Sequence, residues 1–248
     1  MNNKKLLALF RECNKDEIYR EAGIEVDFAF IEAENDTLLI FFEPSDGGVD
    51  WRMNFAFKKK PYKDMSTEYK VHRGFLKCWK AVEDIVIQKV TELDRDGEFR
   101  WKKIVTVGYS HGGALAAFCH ECVWYYREDL RHKEGALVGI GFEAPRIYGA
   151  RKVSAALGTR WAHFYVIRNY DDIVTKVPPS WFGFCHVGKV LTMRTRRKVG
   201  CVKAHTPREV EKSLLAPCNI AGLRELEKLL EDVKFEGACG YEFDRKED

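Results

Sequence analysis

Residues 108–112 read Gly-Tyr-Ser-His-Gly and stand between an apolar run and a stretch that favours a helix. The apolar run, residues 104–107, is Ile-Val-Thr-Val and is typical of a buried strand, whereas residues 114–118, Ala-Leu-Ala-Ala-Phe, favour a helix. A serine at such a sharp strand-to-helix turn is held in a strained backbone conformation, with its hydroxyl projecting from the top of a sheet. The pattern therefore predicts that Ser110 is a nucleophile. The alternative is a turn whose small residues serve tight packing alone.

The two glycines of this segment have a predicted steric role. A side chain at Gly108 or Gly112 would collide with the strand and the helix that cross at the turn. The N-terminus of the following helix would also point backbone N–H groups toward the position where an oxyanion forms. We therefore expect both glycines at close crossings of the backbone, with the serine between them.

Composition favours one folded α/β domain spanning residues 1–248. Hydrophobic residues make up 46% of the chain and charged residues 32%, which excludes a disordered protein. The formal net charge of +3 is small, and no basic stripe interleaved with aromatic residues follows a helix, so a nucleic-acid partner is not indicated. No proline- or glycine-rich linker, repeat or low-complexity segment divides the sequence.

The N-terminal residues bear on the expected location of the protein. Residues 1–12 begin like a signal peptide, but their apolar core is short and charged residues interrupt it. No run in the sequence is long enough to span a bilayer. We therefore expect a cytoplasmic protein without a transmembrane segment.

Metal binding is not predicted, although residues 119–122, Cys-His-Glu-Cys, resemble half of a zinc site. The segment falls inside the helix predicted after Ser110, and no second cysteine pair has matching spacing. Small buried thiols on a helix explain the pattern better. The eight cysteines are expected to be free thiols rather than a disulfide framework, and no metal or organic cofactor is expected.

Predicted strands and helices alternate along the chain. The predicted strands are residues 26–30, 37–42, 51–57, 104–107, 137–142, 163–167 and 187–193. The predicted helices are residues 3–22 (one or two short helices), 74–93, the stretch from the serine turn to residue 126, 153–157, 207–215 and 221–233. A turn signal at residues 34–36 predicts a hairpin between the first two strands, and residues 241–248 are a charged tail. The alternation predicts a mostly parallel central sheet flanked by helices on both faces.

The acid that would support a serine nucleophile is sought downstream of it. A serine hydroxyl needs a base to remove its proton, and the base needs an acid to orient it; on this type of fold the order is serine, acid, histidine. Asp171 and Asp172 closely follow the strand predicted to end at residue 167, where parallel sheets present their sites. One of them is expected to be the acid and the other a turn former or cap. The alternative is that both are turn residues.

Two histidines follow these aspartates and could serve as the base. His205 lies in a loop just before a predicted helix, and Thr206 with Glu209 forms a capping-box pattern that would anchor this loop. His186 begins a predicted strand shortly after two prolines and is more typical of a structural residue. We therefore favour His205 over His186 as the base.

Several segments resemble the class 3 (fungal-type) lipase family. Residues 105–116 resemble its nucleophile segment, and residues 171–179 resemble its acid-bearing segment, Asn-Asp-Ile-Val-Pro-x-Leu-Pro-Pro, in which the second residue is the acid. Residues 71–75, Val-His-Arg-Gly-Phe, and 142–146, Phe-Glu-Ala-Pro-Arg, are similar to the motifs Val-His-x-Gly-Phe and Phe-Gly-x-Pro-Arg. His205 matches the terminal catalytic histidine. The resemblance runs from about residue 37 to residue 215.

The resemblance implies an α/β-hydrolase fold, with Ser110, His205 and Asp172 as the catalytic triad. It also implies an oxyanion hole formed by backbone N–H groups of His111 and Ser45. Where the family has Arg-Gly before the oxyanion residue, this chain has Glu-Pro at 43–44, and a proline fixes φ and lacks an N–H. The loop that carries Ser45 is therefore expected to differ in path.

The resemblance further implies a segment that covers the site, here residues 46–69, a possible lid. Trp51 and Phe55 in this segment and Tyr109 beside the nucleophile are the candidate substrate-binding residues. Apolar residues next to the lysine triplet at 58–60 would suit a lipid–water interface with anionic headgroups. The alternative is a strand with one buried face followed by a solvated turn.

The function implied by the family is that of a serine carboxylic-ester hydrolase of lipase type, which acts through an acyl-enzyme on acylglycerols or other lipid esters. A phospholipase A1 and a small-ester esterase fit the same residues. An alternative from a different class is a non-catalytic hydrolase-like binding protein with an oxyanion loop remodelled by the Glu-Pro pair. The expected partner is a lipid or small ester substrate, with transient contact at a lipid interface.

Overall fold

The computed structural model describes residues 4–13, 26–43, 57–62, 69–194, 199–216 and 222–235. Its strands are β1 (Phe28–Ala33), β2 (Thr37–Phe42), β3 (Lys59–Tyr62), β4 (Tyr69–His72), β5 (Lys103–Tyr109), β6 (Leu137–Phe142), β7 (Phe164–Asn169) and β8 (Lys189–Met193). Its α-helices are α1 (Lys4–Glu12), α2 (Arg73–Val90), α3 (His111–Tyr126), α4 (Glu128–Arg131), α5 (Ala155–Gly158), α6 (Pro207–Leu215) and α7 (Leu223–Leu229).

Six of these strands form the central sheet, in the order β1-β2-β5-β6-β7-β8. β1 is antiparallel to β2, and every other neighbouring pair in this sheet is parallel. The parallel register brings the carboxyl ends of β5, β6 and β7 to one edge, with Tyr109 opposite Phe142 and Phe142 opposite Ile167. The predicted mostly parallel sheet is confirmed.

Both faces of the sheet are covered, which explains the continuous apolar runs of its strands. On β2, Leu38, Ile40 and Phe42 pack into the layer formed by α2 and α3. Leu39 and Phe41 pack on the opposite face, into the layer formed by α1, α6 and α7. All six residues of β2 are therefore buried.

The first hairpin follows the prediction, with small shifts in its bounds. β1 and β2 pair up to Ala33 and Thr37, and the turn between them holds Asn35 and Asp36 at φ 58° and 51°. This left-handed pair is the turn that suits the twist of two antiparallel strands, and Asn and Asp tolerate it better than most residues. The hairpin prediction is confirmed.

A second, two-stranded sheet formed by β3 and β4 was not predicted. Its strands are short, and β3 reads Lys-Lys-Pro-Tyr, which lacks the alternation that marks a strand. Residues 51–56 of the predicted strand 51–57, and most of the predicted lid segment 46–69, lie outside the described residues, as does the tail 241–248.

The described helices and cysteines also bear on the earlier predictions. Within the described ranges, none of the helices has both the length and the hydropathy required to cross a membrane. Cys119 and Cys122 are buried on α3, as the buried-thiol interpretation predicts, and burial raises the pKa of both thiols. The cysteines at 13, 78, 185 and 201 are also free thiols.

Candidate active site

Ser110 lies at the sharp turn between β5 and α3. Its backbone adopts φ 54° and ψ −118°, a region that non-glycine residues rarely occupy. The N–H of Ser110 donates to the carbonyl of Phe142 at 2.9 Å, and its own carbonyl accepts from the N–H of Gly113 at 3.1 Å. The strained strand-to-helix turn predicted from residues 108–112 is therefore present, and neighbouring backbone groups hold it in place.

Gly108 and Gly112 have the steric role that the sequence predicts. A Cβ atom on Gly108 would lie 2.1 Å from the carbonyl oxygen of Gly112, on the crossing helix. A Cβ atom on Gly112 would lie 2.2 Å from the carbonyl oxygen of Phe42, at the end of β2. Because these are backbone atoms that cannot move aside, a side chain at either position would displace Ser110.

Three side chains that are far apart in the sequence meet above this turn. The hydroxyl of Ser110 donates to Nε2 of His205, with 2.8 Å between Oγ and Nε2. On the other side of the ring, Nδ1 of His205 donates to Oδ2 of Asp172 at 2.7 Å. The structure thus brings the predicted nucleophile, base and acid into one hydrogen-bonded line.

Asp172 is fully buried and held by its own loop. Its Oδ1 accepts from the N–H of Val174 at 2.7 Å, and its carbonyl accepts from the hydroxyl of Thr175 at 3.1 Å. Its other oxygen is left for His205. The neighbouring Asp171 is only half-buried, and of the two candidate acids it is Asp172 that contacts His205.

His205 ends a short 3₁₀ turn, Lys203–His205, immediately before α6. The amide Nδ2 of Asn169, at the end of β7, donates to the carbonyl of Ala204 at 2.8 Å and ties this turn to the strand that precedes Asp172. The predicted capping box is wrong, because Thr206 makes no side-chain cap to α6. Its hydroxyl instead donates to the carbonyl of Lys203 at 2.9 Å and closes the 3₁₀ turn.

His186 lies apart from the hydrogen bonds of Ser110. It is held near Thr175, where its Nε2 donates to the carbonyl oxygen at 2.8 Å. Burial lowers the pKa of His186 to about 3, so the ring is neutral at neutral pH. The preference for His205 as the base agrees with this placement.

Tyr109 is buried beneath His205. Its ring stacks on the imidazole, with 5.3 Å between ring centroids, and its hydroxyl donates to the backbone carbonyl of His205. Burial, followed by the charges of Glu143 and Asp172, raises the pKa of the Tyr109 phenol. The observed contacts of Tyr109 are thus with the base, and its predicted contact with substrate stays a prediction.

His111 is the first residue of α3, next to the nucleophile. Its ring is buried and lies 5.5 Å from the ring of Phe75, centroid to centroid. Burial, and then the neighbouring His72, lowers the pKa of His111 to about 4, so this imidazole is neutral at neutral pH. The backbone N–H of His111 begins the helix beside Ser110, and its role in an oxyanion hole stays a prediction.

The remaining predicted site residues lie outside the described residues: Ser45, Trp51 and Phe55. The path toward Ser45 does start close to the nucleophile. A Cβ atom on Gly112 would lie 2.5 Å from the carbonyl oxygen of Glu43, so the last described residue before Ser45 touches the first turn of α3.

Glu143 is a site residue to which the sequence analysis assigned no role. It directly follows β6, adopts φ 49°, and is fully buried. Its two carboxyl oxygens accept from the N–H of Asn169 at 2.7 and 2.9 Å. Burial, then a hydrogen bond with Asp172 and its charge, raises the pKa of Glu143 well above its ordinary value. The available signal was an acidic residue where the similar family motif has glycine.

Arg146, also without a predicted role, braces the loop that follows Asp172. Its Nη1 donates to the carbonyls of Lys176 at 2.5 Å and Pro178 at 3.1 Å, and its backbone N–H donates to Val177 at 2.8 Å. The segment after β6 therefore supports the acid-bearing loop in two ways, through Glu143 and through Arg146.

Among the described residues, one group has the geometry to hold a metal ion. A carboxyl oxygen of Glu143, a carboxyl oxygen of Asp172 and a ring nitrogen of His205 all lie within 4.8 Å of one another. These atoms belong to the hydrogen-bonded cluster just described, in which Nδ1 of His205 donates to Asp172 and Glu143 accepts from Asn169. The group is therefore part of the candidate active site and not a separate centre.

The family of class 3 lipases matches this chain over residues 39–182. Ser110 and Asp172 lie within the matched region, whereas His205 lies beyond it. A lipase from Rhizomucor miehei is 29% identical over 153 residues, which make up 62% of this chain and 40% of that lipase. The chain thus matches less than half of the length of this relative.

Solved structures of lipases share the fold. The native propeptide complex of Rhizomucor miehei lipase aligns with a TM-score of 0.58 at 20% identity, over 80% of this chain and 66% of that chain. A triacylglycerol lipase whose catalytic centre is described as a serine protease triad aligns with a TM-score of 0.53 at 20% identity, over 77% and 78%. These likenesses confirm the α/β-hydrolase fold. Together with the family match over more than half of its residues, they lead to one conclusion: the chain belongs to the class 3 lipase family.

Proposed function

We propose that this protein is a serine carboxylic-ester hydrolase of lipase type, in which Ser110 is the nucleophile, His205 the base and Asp172 the orienting acid. The observation that carries the proposal is the hydrogen-bonded line from Ser110 Oγ to His205 Nε2 at 2.8 Å and from His205 Nδ1 to Asp172 at 2.7 Å. A nucleophile within hydrogen-bond reach of a base, itself oriented by a third group, is the arrangement that activates a hydroxyl.

The reaction follows from this line of contacts. Oγ of Ser110 attacks the ester carbonyl carbon while its proton passes to Nε2 of His205. His205 then gives that proton to the leaving alcohol, and an acyl-enzyme forms on Ser110. Water, deprotonated by His205, then attacks the acyl carbon. His205 returns that proton to Oγ of Ser110 as the bond between Oγ and the acyl carbon breaks, and the acid is released. Asp172 stays ionised and stabilises the charged imidazole that forms in each step.

The oxyanion of each tetrahedral intermediate would be bound by backbone N–H groups. The N–H of His111 starts α3 beside the nucleophile, where the helix dipole favours negative charge. The second donor would be the N–H of Ser45, two residues beyond Glu43, whose carbonyl contacts the first turn of α3. Loss of one such donor lowers kcat by about 10²–10³-fold in enzymes of this type.

A lipid ester is the proposed substrate class, with transient contact at a lipid interface. Beyond the acid-bearing loop, Trp181 is 77% exposed and Phe182 is 53% exposed. The ring of Phe57, next to the exposed lysines 58–60, lies 5.6 Å from the ring of Phe182. Exposed aromatic rings beside basic side chains suit a surface with apolar chains and anionic headgroups.

The relatives give further support to this substrate class. The Rhizomucor miehei relative is named a lipase, and one of the structural neighbours is named a triacylglycerol lipase. A phospholipase A1 and a small-ester esterase remain finer alternatives, because they use the same triad. The non-catalytic binding protein is less favoured, since that function does not require the complete hydrogen-bonded line.

Covalent labelling tests the proposal directly. We expect a fluorophosphonate probe to label the parent protein at Ser110 and to leave Ser110→Ala unlabelled. Hydrolysis of p-nitrophenyl butyrate should fall by about 10⁴-fold or more in Ser110→Ala, because the nucleophile is absent while the fold is kept. A folded parent protein that is neither labelled nor active would favour the binding-protein alternative.

A substrate panel tests the class of ester. It would comprise p-nitrophenyl esters of graded chain length, one phospholipid and one triglyceride, each assayed below and above its solubility limit. A lipid-interface enzyme should show a higher rate on the aggregated long-chain esters. Activity confined to short esters, with no rise in rate at the solubility limit, would contradict the lipid assignment and leave a small-ester esterase.

A further inference from the structure

Glu143 is a buried carboxylic acid that the proposed mechanism does not use. It lies at the end of β6, between the strand that leads to Ser110 and the strand that leads to Asp172. One of its carboxyl oxygens lies within 4.8 Å of a carboxyl oxygen of Asp172 and of a ring nitrogen of His205. Its side chain is fully buried, and both of its oxygens accept from the N–H of Asn169.

The ionisable groups around Glu143 cannot stabilise two carboxylates. Asp172 and His205 face it from the loops after β7 and before α6, and the phenol of Tyr109 faces it from the end of β5. Arg168 on β7 is the nearby cation, and it is half-buried with its Nε donating to the hydroxyl of Thr192. Two adjacent carboxyl groups in such a dry site retain one proton between them.

We propose that Glu143 is a positioning residue, a protonated carboxyl group that donates a hydrogen bond to Asp172 and so fixes the charge and orientation of the triad acid. The pair then carries one negative charge, which Asp172 directs at His205. Glu143 undergoes no chemical change during the reaction. The consequences for catalysis rest on the proposed function, whereas the hydrogen bond itself does not.

The backbone at this position indicates that the side chain has a role of its own. A φ of 49° lies in the left-handed region that favours glycine, and glycine stands there in the similar family motif. A glycine would satisfy the backbone but would leave the N–H of Asn169 without its carboxyl acceptor, and Asp172 would keep only the N–H of Val174 and Nδ1 of His205 as donors. Burial raises the pKa of Glu143 well above its ordinary value, in agreement with a protonated group at neutral pH.

The hydrogen bond has a predictable effect on the base. A donor to Asp172 spreads the negative charge of that carboxylate and weakens its attraction for a charged imidazole. The neutral form of His205, which can accept the proton of Ser110, then persists to lower pH. Without the donor, the charged form of His205 is favoured. The acid limb of the pH profile, in which kcat/KM falls as the base becomes protonated, then moves to higher pH.

Two substitutions with different hydrogen-bonding capacity separate this role from a structural one. Glu143→Gln keeps a donor for Asp172 and an acceptor for Asn169, so we expect kcat/KM on p-nitrophenyl butyrate within about threefold of the parent and a similar acid limb. Glu143→Leu has neither group, so we expect a loss of about tenfold at neutral pH and an acid limb raised by roughly one pH unit. Glu83→Gln is the control: Glu83 is a buried carboxyl group whose hydrogen bonds are to Tyr62, Trp79 and Lys80, and its substitution should not move the acid limb.

The outcomes that would overturn the inference are distinct. An acid limb that stays in place in Glu143→Leu would mean that Glu143 has a structural role only. A limb that moves to lower pH in both Glu143→Gln and Glu143→Leu would mean that Glu143 is ionised in the parent protein, because each variant then removes a negative charge near His205.

NMR titration of the His205 imidazole tests the inference even if a variant does not fold or the parent protein is inactive. Glu143→Gly, which suits φ 49°, replaces Glu143→Leu if the leucine variant does not fold. NMR titration of the His205 imidazole in the Ser110→Ala background should show a midpoint raised in Glu143→Gly and kept in Glu143→Gln. This measurement needs no turnover, so an inactive parent protein would refute the proposed function without deciding this inference. Equal midpoints in all three proteins would refute the inference alone.

Discussion

Two of the regions that bury carboxyl groups satisfy those groups in different ways. On α3, Glu121 accepts from the guanidinium of Arg160, which follows α5, at 2.5 Å and from the phenol of Tyr69 on β4. At the carboxyl ends of β6 and β7, Asp172 accepts from the N–H of Val174 and from Nδ1 of His205, and Glu143 accepts from the N–H of Asn169. The two carboxyl groups lie within 4.8 Å of each other. In the first region the donors to the carboxyl group are a guanidinium and a phenol, which keep their protons. In the second region the partners include an imidazole, which can gain or lose a proton.

This difference separates a structural cluster from a reactive one. Burial is the largest cause of the raised pKa of both Glu121 and Glu143, so burial does not distinguish the two regions. What distinguishes them is the partner: an arginine keeps its proton under all working conditions, but a histidine exchanges its proton near neutral pH. Substitutions in the second region should therefore change rates and pH profiles, and those in the first should change stability.

The largest effect is expected at the base of the triad. His205→Ala removes the group that takes the proton of Ser110, so kcat/KM on p-nitrophenyl butyrate should fall by about 10⁴-fold. His186→Gln is the matched control, because glutamine can still donate to the carbonyl of Thr175, and its activity should stay within about threefold of the parent. Comparable losses in the two variants would refute the choice of base.

In the structural cluster, the free energy of unfolding should respond instead of the rate. Arg160→Met leaves Glu121 buried without its cation, which should lower the free energy of unfolding by about 3 kcal/mol. Urea unfolding measures this loss, and kcat/KM of the protein that remains folded should stay close to the parent value. A large loss of kcat/KM in fully folded Arg160→Met would break the distinction between the two regions.

Two buried histidines that make no contact with Ser110, His205 or Asp172 make stability depend on pH. The pKa of His120, on α3, and that of His186 are each lowered from 6.5 to about 3 by burial. Since the unfolded chain binds protons at these groups first, their stabilisation is complete above pH 6.5 and is lost as the pH falls from 6.5 toward 3. Between pH 6.5 and pH 4 each group contributes on the order of 3 kcal/mol to this fall.

The pH effect is measured by urea unfolding at pH 7, 6, 5 and 4. The parent protein should lose stability steadily below pH 6.5, and His186→Gln should show a shallower slope because one titrating group is gone. The same slope in both proteins would show that His186 is not protonated on unfolding over this range, which contradicts its burial as a neutral ring.

The contrast also explains how much could be predicted from the sequence. The three residues of the proposed triad could be named because each stands in a local pattern: Ser110 between strand and helix, Asp172 after a strand, and His205 before a helix. The central sheet followed for the same reason, since its apolar runs are continuous. The sheet of β3 and β4 was missed because each strand has only four residues and β3 reads Lys-Lys-Pro-Tyr.

Contacts that depend on register could not be predicted in this way. Glu143 and Asn169 are 26 residues apart, and they meet because β6 and β7 pair with Phe142 opposite Ile167. Tyr109 and His205 are 96 residues apart and meet because Tyr109 ends β5 on the side that α6 covers. The sequence shows which residues these are, but it does not show which residues they contact. Those contacts are set by the pairing of the strands and by the turn at Ser110.

The smallest expected effect tests such a register-dependent contact. Tyr109→Phe keeps the ring that stacks on His205 but removes the hydroxyl that donates to its backbone carbonyl. A lost hydrogen bond of this kind costs about 1 kcal/mol, so kcat should fall roughly threefold to tenfold while KM for a small ester changes little. If Tyr109 instead contacts substrate, KM should rise and kcat should be kept, with the change growing as the acyl chain of the p-nitrophenyl ester lengthens. Steady-state kinetics on a short and a long ester therefore decide whether Tyr109 supports the base or binds the substrate.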